Sequence, residues 1–328
     1  MSPSQTRRDF CRWGVTALLF DTARWTYGAS QRQLLIAMQS TGHNDEAVYA
    51  ALEQQLRTIA PSATPLTLAR REAGFSRETL ARQVDELLAM RPDVLICLDL
   101  AAAAAAAKRR REQGPPIVFL AHSDPVRSGL VESYARPGNN ITGVTTYRCV
   151  DGKMVEILAE AFPSRRHFGH LLDATVDNRR SIQLATQAAR DNNVELTTID
   201  VSSPAFIAEI TQRLAPLGLD AVVAPASAPI WQNRKPVINA LNTLRLPAIY
   251  ESELFLDDGG LMYYGPVRTD AIPQVANDVG KILRGEPAGN LPIDQPTRFE
   301  LVVNLRATYA ADYGIRASTL RRADRILQ

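Results

Sequence analysis

Short runs of apolar residues alternate with longer amphipathic segments along most of this chain of 328 residues. In the first half the apolar runs begin near residues 34, 65, 93 and 116, with helical periodicity at 45–60, 76–90 and 100–113 between them. A second series begins near residues 167, 194, 220 and 246, at spacings of 26 or 27 residues. Apolar strands separated by helices in units of about 30 residues are typical of parallel sheets covered on both faces. The sequence therefore predicts an α/β fold with two doubly wound lobes.

Three further β-rich segments interrupt this alternation. They lie at 141–145, 260–264 and 298–303, and a helix is predicted over 269–284. We expect them to carry the chain between the lobes and so to form a multi-strand hinge beside a cleft. The predicted first lobe comprises residues 34–145 plus about 266–297, and the second comprises 146–265 plus about 298–328.

The first thirty residues have the order of an export signal. The segment 6–12 reads TRRDFCR, the apolar run 13–20 follows, and 28–30 reads GAS. Paired arginines, an apolar stretch and small residues are the pattern of a twin-arginine signal peptide. Because Asp21 shortens the apolar stretch, a disordered or amphipathic N-terminal tail is the alternative. We expect residues 1–30 to be an export signal and the protein to be periplasmic.

Composition and motifs exclude several classes of protein. The formal net charge is +2, and the basic block is limited to residues 108–111, which does not favour a nucleic-acid partner. No zincin, phosphate-loop, dinucleotide-binding or C-x-x-C motif occurs. His122, Ser123 and Asp124 are adjacent in sequence but lack a nucleophile elbow, and His167 and His170 fall on opposite faces of a predicted strand. We therefore expect a binding protein without catalytic residues, cofactor or metal ion.

Polar side chains follow the predicted strands at the positions where open parallel sheets bind ligands. Each of these residues also precedes a helix or a turn, so helix capping is the alternative role. The candidate ligand-binding residues are Ser40, Thr41, Asp99, Ser123, Asp124, Thr175, Ser227 and Glu251. Trp231 and Tyr264 are candidates for an aromatic face.

Carboxylates are more frequent than basic side chains at these strand ends. The acidic residues are Asp99, Asp124, Asp173, Asp177, Glu251 and Glu253. An anionic solute would meet like charge there, whereas an ammonium group would form charge-assisted hydrogen bonds. We therefore expect an amine-bearing solute, such as an amino acid or a relative of one.

Three long motifs carry a resemblance to a known family. DPVRSGLV at 124–131 is followed by RPGNNITGV at 136–144. LPAIY at 246–250 is followed by GGLM at 259–262, and LPIDQPTRFELVVNL occupies 291–305. The chain resembles, over about residues 34–327, the solute-binding proteins of ABC uptake systems with the type I periplasmic-binding fold. Within that family it is similar to the tryptophan and tyrosine receptors.

The resemblance implies a monomer that captures a small-molecule solute and delivers it to an ABC permease in the inner membrane. A receptor that signals to a partner protein instead of a permease is the main alternative. A repressor with the same two lobes would need an N-terminal DNA-binding domain of about 50–60 residues, whereas 33 residues precede the first predicted strand. An enzyme on this fold is the remaining alternative.

We expect replacement of Arg7 and Arg8 by Lys to retain the precursor inside the cell, because the twin-arginine pathway reads the paired guanidinium groups. The measurement is cell fractionation followed by immunoblotting, with Arg24→Lys as the control outside the motif. Processing and export of the double variant at the parental level would contradict the twin-arginine assignment.

Overall fold

A computed structural model describes residues 34–41, 46–60, 65–110, 114–267, 270–295 and 297–328. The predicted export signal lies outside these residues. Gln33–Gln328 forms one compact unit, to which the following description applies. Among the helices of the described ranges, none combines the length and the apolar character needed to cross a bilayer.

The first sheet contains five parallel strands, which pair in the order β2-β1-β3-β4-β5. The strands are β1 (Leu34–Ser40), β2 (Leu66–Glu72), β3 (Val94–Cys97), β4 (Ile117–Ala121) and β5 (Ile141–Thr145). Three helices connect the first four strands: α1 (Glu46–Ile59), α2 (Arg77–Ala89) and α3 (Leu100–Arg109). The predicted helix 100–113 thus contains α3, and its C-cap Arg110 has an extended backbone with ψ 136°.

The second sheet contains seven strands, in the order β12-β11-β10-β9-β8-β6-β7. They are β6 (His167–Leu172), β7 (Glu195–Asp200), β8 (Ala221–Ala224), β9 (Ala248–Tyr250), β10 (Met262–Pro266), β11 (Phe299–Asn304) and β12 (Arg325–Leu327). β10 and β11 are antiparallel, and the other neighbours are parallel. The sequence pattern did not predict this antiparallel pair, because strand orientation depends on the path between the strands.

Nine further α-helices follow β5 in the described part of the chain. They are α4 (Asp151–Ala161), α5 (Arg179–Asp191), α6 (Pro204–Ala208), α7 (Ile210–Leu214), α8 (Ala228–Gln232), α9 (Arg234–Thr243), α10 (Leu254–Asp257), α11 (Ala271–Leu283) and α12 (Ala317–Arg322). Helix α11 packs on α1, β4 and β5, so it covers the first sheet although it lies late in the chain.

Each sheet is buried on both faces. In the first sheet, Leu95 and Phe119 pack towards α2 and α3, whereas Ile96 and Val118 pack towards α1 and α11. Phe168 and Val222 in the second sheet belong to two different core clusters. Successive strand residues point to opposite faces, so apolar runs without alternation require this double covering. The predicted class, two doubly wound parallel-sheet lobes, is confirmed.

The three predicted crossing segments are strands of the sheets themselves. Segment 141–145 is the edge strand β5 of the first sheet, and the other two contribute β10 and β11 to the second. The chain passes between the sheets in the described segments that follow β5, follow β10 and precede β11. Asp294, in the third of these segments, exchanges backbone hydrogen bonds with Gly143 and Thr145. The segment before β11 therefore runs along β5 at the edge of the first sheet.

Gly143 is the residue of β5 that least tolerates a side chain. Its φ is 155°, and an added Cβ would lie 2.2 Å from the carbonyl oxygen of Phe119 on β4. We expect Gly143→Ala to lower the free energy of unfolding by about 2–4 kcal/mol, because the strand pairing must open and the backbone is strained. Urea denaturation of the purified protein measures the change.

Gly280→Ala on α11 is the matched control, since an added Cβ there would lie 3.3 Å from the mobile end of the Arg284 side chain. It should leave stability unchanged or raise it by up to about 1 kcal/mol, because alanine favours the helix. Equal effects of the two substitutions would contradict the close approach at Gly143.

Candidate functional site

The carboxyl-terminal edges of the two sheets border the same cleft. Thr41, Asp99 and Ser123 follow strands of the first sheet, and Ser227 and Glu251 follow strands of the second. Two adjoining cavities lie between them, with volumes of about 270 and 560 Å³. They share a wall that includes His122, Ser123, Ala226 and Ser227. We call the two cavities together the cleft.

The structure brings seven of the eight predicted site residues to the cleft. These are Thr41, Asp99, Ser123, Asp124, Thr175, Ser227 and Glu251. The eighth, Ser40, is fully buried, and its Oγ accepts a hydrogen bond of 3.1 Å from the hydroxyl of Tyr49 on α1. Neighbouring strand residues point to opposite faces, so Ser40 packs under α1 while Thr41 borders the cleft.

The smaller cavity, which we call the apolar end of the cleft because of its ring and aliphatic side chains, also has polar lining from Thr41, Asp99 and Ser252. Its apolar wall includes Phe75 and Leu100 from the first lobe and Trp231 and Leu254 from the second. The rings of Phe75 and Trp231 meet edge to face, with centroids 5.9 Å apart. The sequence indicated Trp231 but not Phe75. Phe75 has φ 64° directly before Ser76, the N-cap of α2, which places its ring beyond the end of β2.

The larger cavity is the acidic end of the cleft. Five carboxylates line it, together with the basic side chain of Arg127, whose Nη1 donates to the hydroxyl of Tyr147 over 3.3 Å. The carboxylates belong to Asp124, Asp151, Asp173, Asp177 and Glu251. Asp151 was not predicted, because it lies at the first position of a helix and does not follow a strand.

Several of these carboxylates hold the protein's own backbone. Asp99 accepts hydrogen bonds from the Ala102 amide (2.7 Å) and from the amide and hydroxyl of Thr41 (2.6 and 2.7 Å). It therefore caps α3 and also fixes the end of β1. The two roles predicted for Asp99, capping and a place at the cleft, thus coincide in one side chain.

Asp124 and Asp173 act in the same way within their own loops. Asp124 Oδ1 accepts from the amides of Val126 and Arg127 at 3.0 and 3.1 Å. Asp173 Oδ1 accepts from the amide and the hydroxyl of Thr175 at 3.0 and 2.5 Å. These bonds satisfy lone pairs but leave the negative charge of each carboxylate at the cleft.

Two further predicted strand-end carboxylates, Asp177 and Glu253, have arginine partners. Asp177 pairs with Arg179 at 2.9 Å, and these hydrogen bonds lower the pKa of Asp177 below its usual range. Glu253 pairs with Arg325 at 2.8 Å and does not line either cavity. The acidic character of the cleft therefore depends on Asp124, Asp151, Asp173 and Glu251.

Asp151 is held in a buried polar cluster. One of its oxygens accepts from Nε2 of the fully buried His170 at 2.8 Å and from the hydroxyl of Ser181. Burial opposes ionisation, but the hydrogen bonds from His170 and Ser181 and the electrostatic effect of His170 outweigh it, so the pKa of Asp151 lies below its ordinary value. Asp151 is thus the ionised member of the cluster.

Glu251 has the opposite electrostatic environment. Its Oε2 accepts one hydrogen bond from the Ala226 amide at 3.0 Å. Burial and, to a smaller extent, the charge of Asp151 raise the pKa of Glu251 to about 8, against the effect of this hydrogen bond. At neutral pH the acidic end therefore combines ionised carboxylates with one carboxylic acid.

Comparisons with known proteins agree that the chain is similar to substrate-binding proteins. The family model described as ABC transporter substrate binding protein matches residues 64–327. A curated tyrosine-binding protein from Clostridioides difficile (strain R20291) is 24% identical over 201 residues, which is 60% of this chain. The match spans 57% of the length of that relative.

Solved structures with the same fold cover most of the chain. The ABC domain in complex with L-Trp from Streptococcus pneumonia has a TM-score of 0.78 at 18% identity, over 90% of this chain and 100% of that one. A conserved domain protein from Vibrio cholerae has a TM-score of 0.77 at 22% identity, with the same coverage. The ligand-free, open structure of a substrate-binding protein with adhesive properties from Clostridium difficile has a TM-score of 0.69 at 18% identity, over 90% and 99%. These likenesses establish the fold.

We expect Asp99→Ala to lower the free energy of unfolding by about 1–2 kcal/mol, because α3 loses its N-cap and Thr41 loses its acceptor. Urea denaturation measures the loss. Asp85→Ala on α2 is the control, since the Asp85 side chain is 66% exposed and lies 3.5 Å from Arg109. The capping role is contradicted if Asp99→Ala is no more destabilising than Asp85→Ala.

Proposed function

This chain belongs to the family of ABC transporter substrate-binding proteins, and from that premise we propose that it captures an amine-bearing amino acid or a relative with an aromatic body and delivers it to an ABC permease in the inner membrane. The observation that carries the proposal is the division of the cleft into an apolar end and an acidic end.

The acidic end favours a cationic group. Asp124, Asp151 and Asp173 bring negative charge to its wall, and their hydrogen bonds to internal donors hold them in place. Opposite charges 4 Å apart attract by about 1 kcal/mol in water and by about 4 kcal/mol at the effective dielectric constant of a protein surface. An ammonium group gains this attraction, whereas a simple anion is repelled.

Arg127 supports a zwitterion over a simple amine. Its guanidinium borders the same cavity as the carboxylates. A guanidinium binds a carboxylate through two parallel hydrogen bonds. A solute with an ammonium and a carboxylate can therefore satisfy both signs of charge, and an amino acid has this pattern.

The apolar end supports an aromatic side chain. Phe75 and Trp231 come from opposite lobes and already meet edge to face. Aromatic rings pack favourably against such edges at centroid distances of about 4.5–7 Å. An aromatic ring of the solute that packs beside Phe75 and Trp231 would contact both lobes at once and so hold them together.

The organisation of the chain follows from the same proposal. We propose that residues 1–30 direct export to the periplasm, and that the lobes comprise 34–145 with about 266–297 and 146–265 with about 298–328. The packing of α11 on α1 and β5 supports the return of the chain to the first lobe. The working form would be a monomer that closes around its solute, as a hinged cleft permits.

We expect L-tryptophan to bind most tightly among three related probes, tryptamine to bind more weakly, and indole-3-propionate to bind least. L-Tryptophan carries both charges, tryptamine only the ammonium, and indole-3-propionate only the carboxylate. Isothermal titration calorimetry on the chain from residue 31 onward measures the affinities. Tighter binding of indole-3-propionate than of tryptamine would contradict the proposed amine.

The variant Phe75→Ala adds a test of the apolar end to this panel. It should weaken L-tryptophan binding about five- to tenfold. Met90→Ala, which removes another exposed apolar side chain, is the matched control and should leave the affinity unchanged. If Phe75→Ala binds as tightly as the Met90→Ala control, the aromatic body of the proposed solute does not lie at this end.

A further inference from the structure

We propose that Glu251, beside Asp151, makes solute capture proton-linked: the ammonium group of the solute binds against the Glu251 carboxyl and displaces its proton to the solvent. This inference rests on the proposed function, because it assumes an amine-bearing solute in the same cleft. Glu251 then sets how the affinity for the solute depends on pH.

The two carboxyl groups belong to one cavity but reach it from different elements. Asp151 begins α4, and Glu251 follows β9. Both line the acidic end of the cleft. The side chain of Asp151 is 5% exposed, so little water screens its charge from Glu251.

The hydrogen bonds decide which of the two groups is ionised. Asp151 accepts from His170 and Ser181, and the thiol of Cys149 lies 3.5 Å from its other oxygen. Glu251 accepts from the backbone amide of Ala226. Since the charged form of Asp151 is better supplied with donors, the proton of the pair resides on Glu251.

The other groups around Glu251 do not neutralise a second negative charge. Tyr147 and Cys149, which precede α4, have raised pKa values, mainly because they are buried, and Cys149 reaches about 12. His122 lies across the cleft, hydrogen-bonded to Thr146, and the hydroxyl of Tyr263 donates to the carbonyl of Pro266.

The basic side chains at this side of the cleft act on groups other than Glu251, and His170 acts on Asp151. Arg127 hydrogen-bonds to Tyr147, and the charge of Arg180 acts on Cys149. Asp173, which lines the same cavity, adds negative charge. A solute ammonium is therefore the missing counter-charge that would allow Glu251 to ionise.

The proton balance fixes the sign of the pH dependence. With a pKa of about 8 for Glu251, about nine in ten molecules of the free protein carry this proton at pH 7. An ammonium that stabilises the carboxylate lowers this pKa in the complex, so one proton leaves as the solute binds. Affinity then rises about tenfold per pH unit between the pKa of the complex and that of the free protein, and it levels off above about pH 8.

Calorimetry with tryptamine and with L-tryptophan tests the inference. Titrations at pH 7 in two buffers of different ionisation enthalpy should show release of about 0.9 proton per solute. From pH 6 to pH 7 the affinity should rise about tenfold, with little further change from pH 8 to pH 8.5. Both probes keep their ammonium group protonated over most of this range.

Two variants separate the role of Glu251 from a merely structural one. Glu251→Gln imitates the protonated form, so it should bind more weakly than the parent by a factor that grows with pH and reaches at least about tenfold at pH 8.5, and it should release no proton. Glu253→Gln is the matched control, because Glu253 lies two residues away and pairs with Arg325 outside the cleft. It should keep the parental pH profile.

Each of the remaining outcomes contradicts either the proton linkage alone or the linkage together with the proposed amine. Tight binding with a flat pH profile, or an unchanged profile in Glu251→Gln, rejects the proton linkage and leaves the proposed function standing. Affinity that falls as the pH rises through 8 also rejects it, because protonated Glu251 would then donate to an anionic group of the solute. If neither probe binds at any pH from 5.5 to 8.5, the proposed amine and the linkage both fail.

Discussion

The parallel pairing of the strands is the constraint on which the site depends. In both sheets the central strands are buried on each face, so most of the polar side chains of the cleft lie in the residues that follow a strand. Parallel strands end at one common edge, which gathers these residues from distant parts of the chain. The bond from the Thr41 amide to Asp99 joins positions 58 apart in sequence. The cleft is a consequence of this convergence.

The carboxyl groups at this edge have two separate tasks. Asp99 binds the amide and hydroxyl of Thr41 in a neighbouring loop, and Asp173 binds the amide and hydroxyl of Thr175 in its own loop. These bonds fix the shape of the cleft. Glu251 has one backbone donor and a raised pKa, so it keeps a proton that can be exchanged. Carboxylates held by fixed hydrogen bonds, beside one carboxyl group that can lose its proton, can bind an ammonium group without rearrangement of the loops.

The fold class and the family were predicted from the sequence and are confirmed, because both depend on patterns that repeat or extend over many residues. The alternation of strands and helices requires only local periodicity. The antiparallel β10–β11 pair was missed, since nothing in either segment records the direction of its neighbour. Phe75 and Asp151 were missed because neither directly follows a strand, which was the criterion for a site residue.

Position in the sequence alone does not show which residue at the end of a strand reaches the cleft. Ser40 and Thr41 are neighbours at the end of the same strand, but only Thr41 borders the cleft. The sequence by itself determined the strands, the helices between them, the family and the acidic character of the strand ends. The tertiary structure alone decided which carboxylate is ionised, because that depends on donors and burial supplied by residues far away in the chain. Asp99 and Glu251 follow strands in the same local pattern, but Asp99 accepts hydrogen bonds from Thr41 and from the N-terminus of α3, whereas burial and the charge of Asp151 raise the pKa of Glu251.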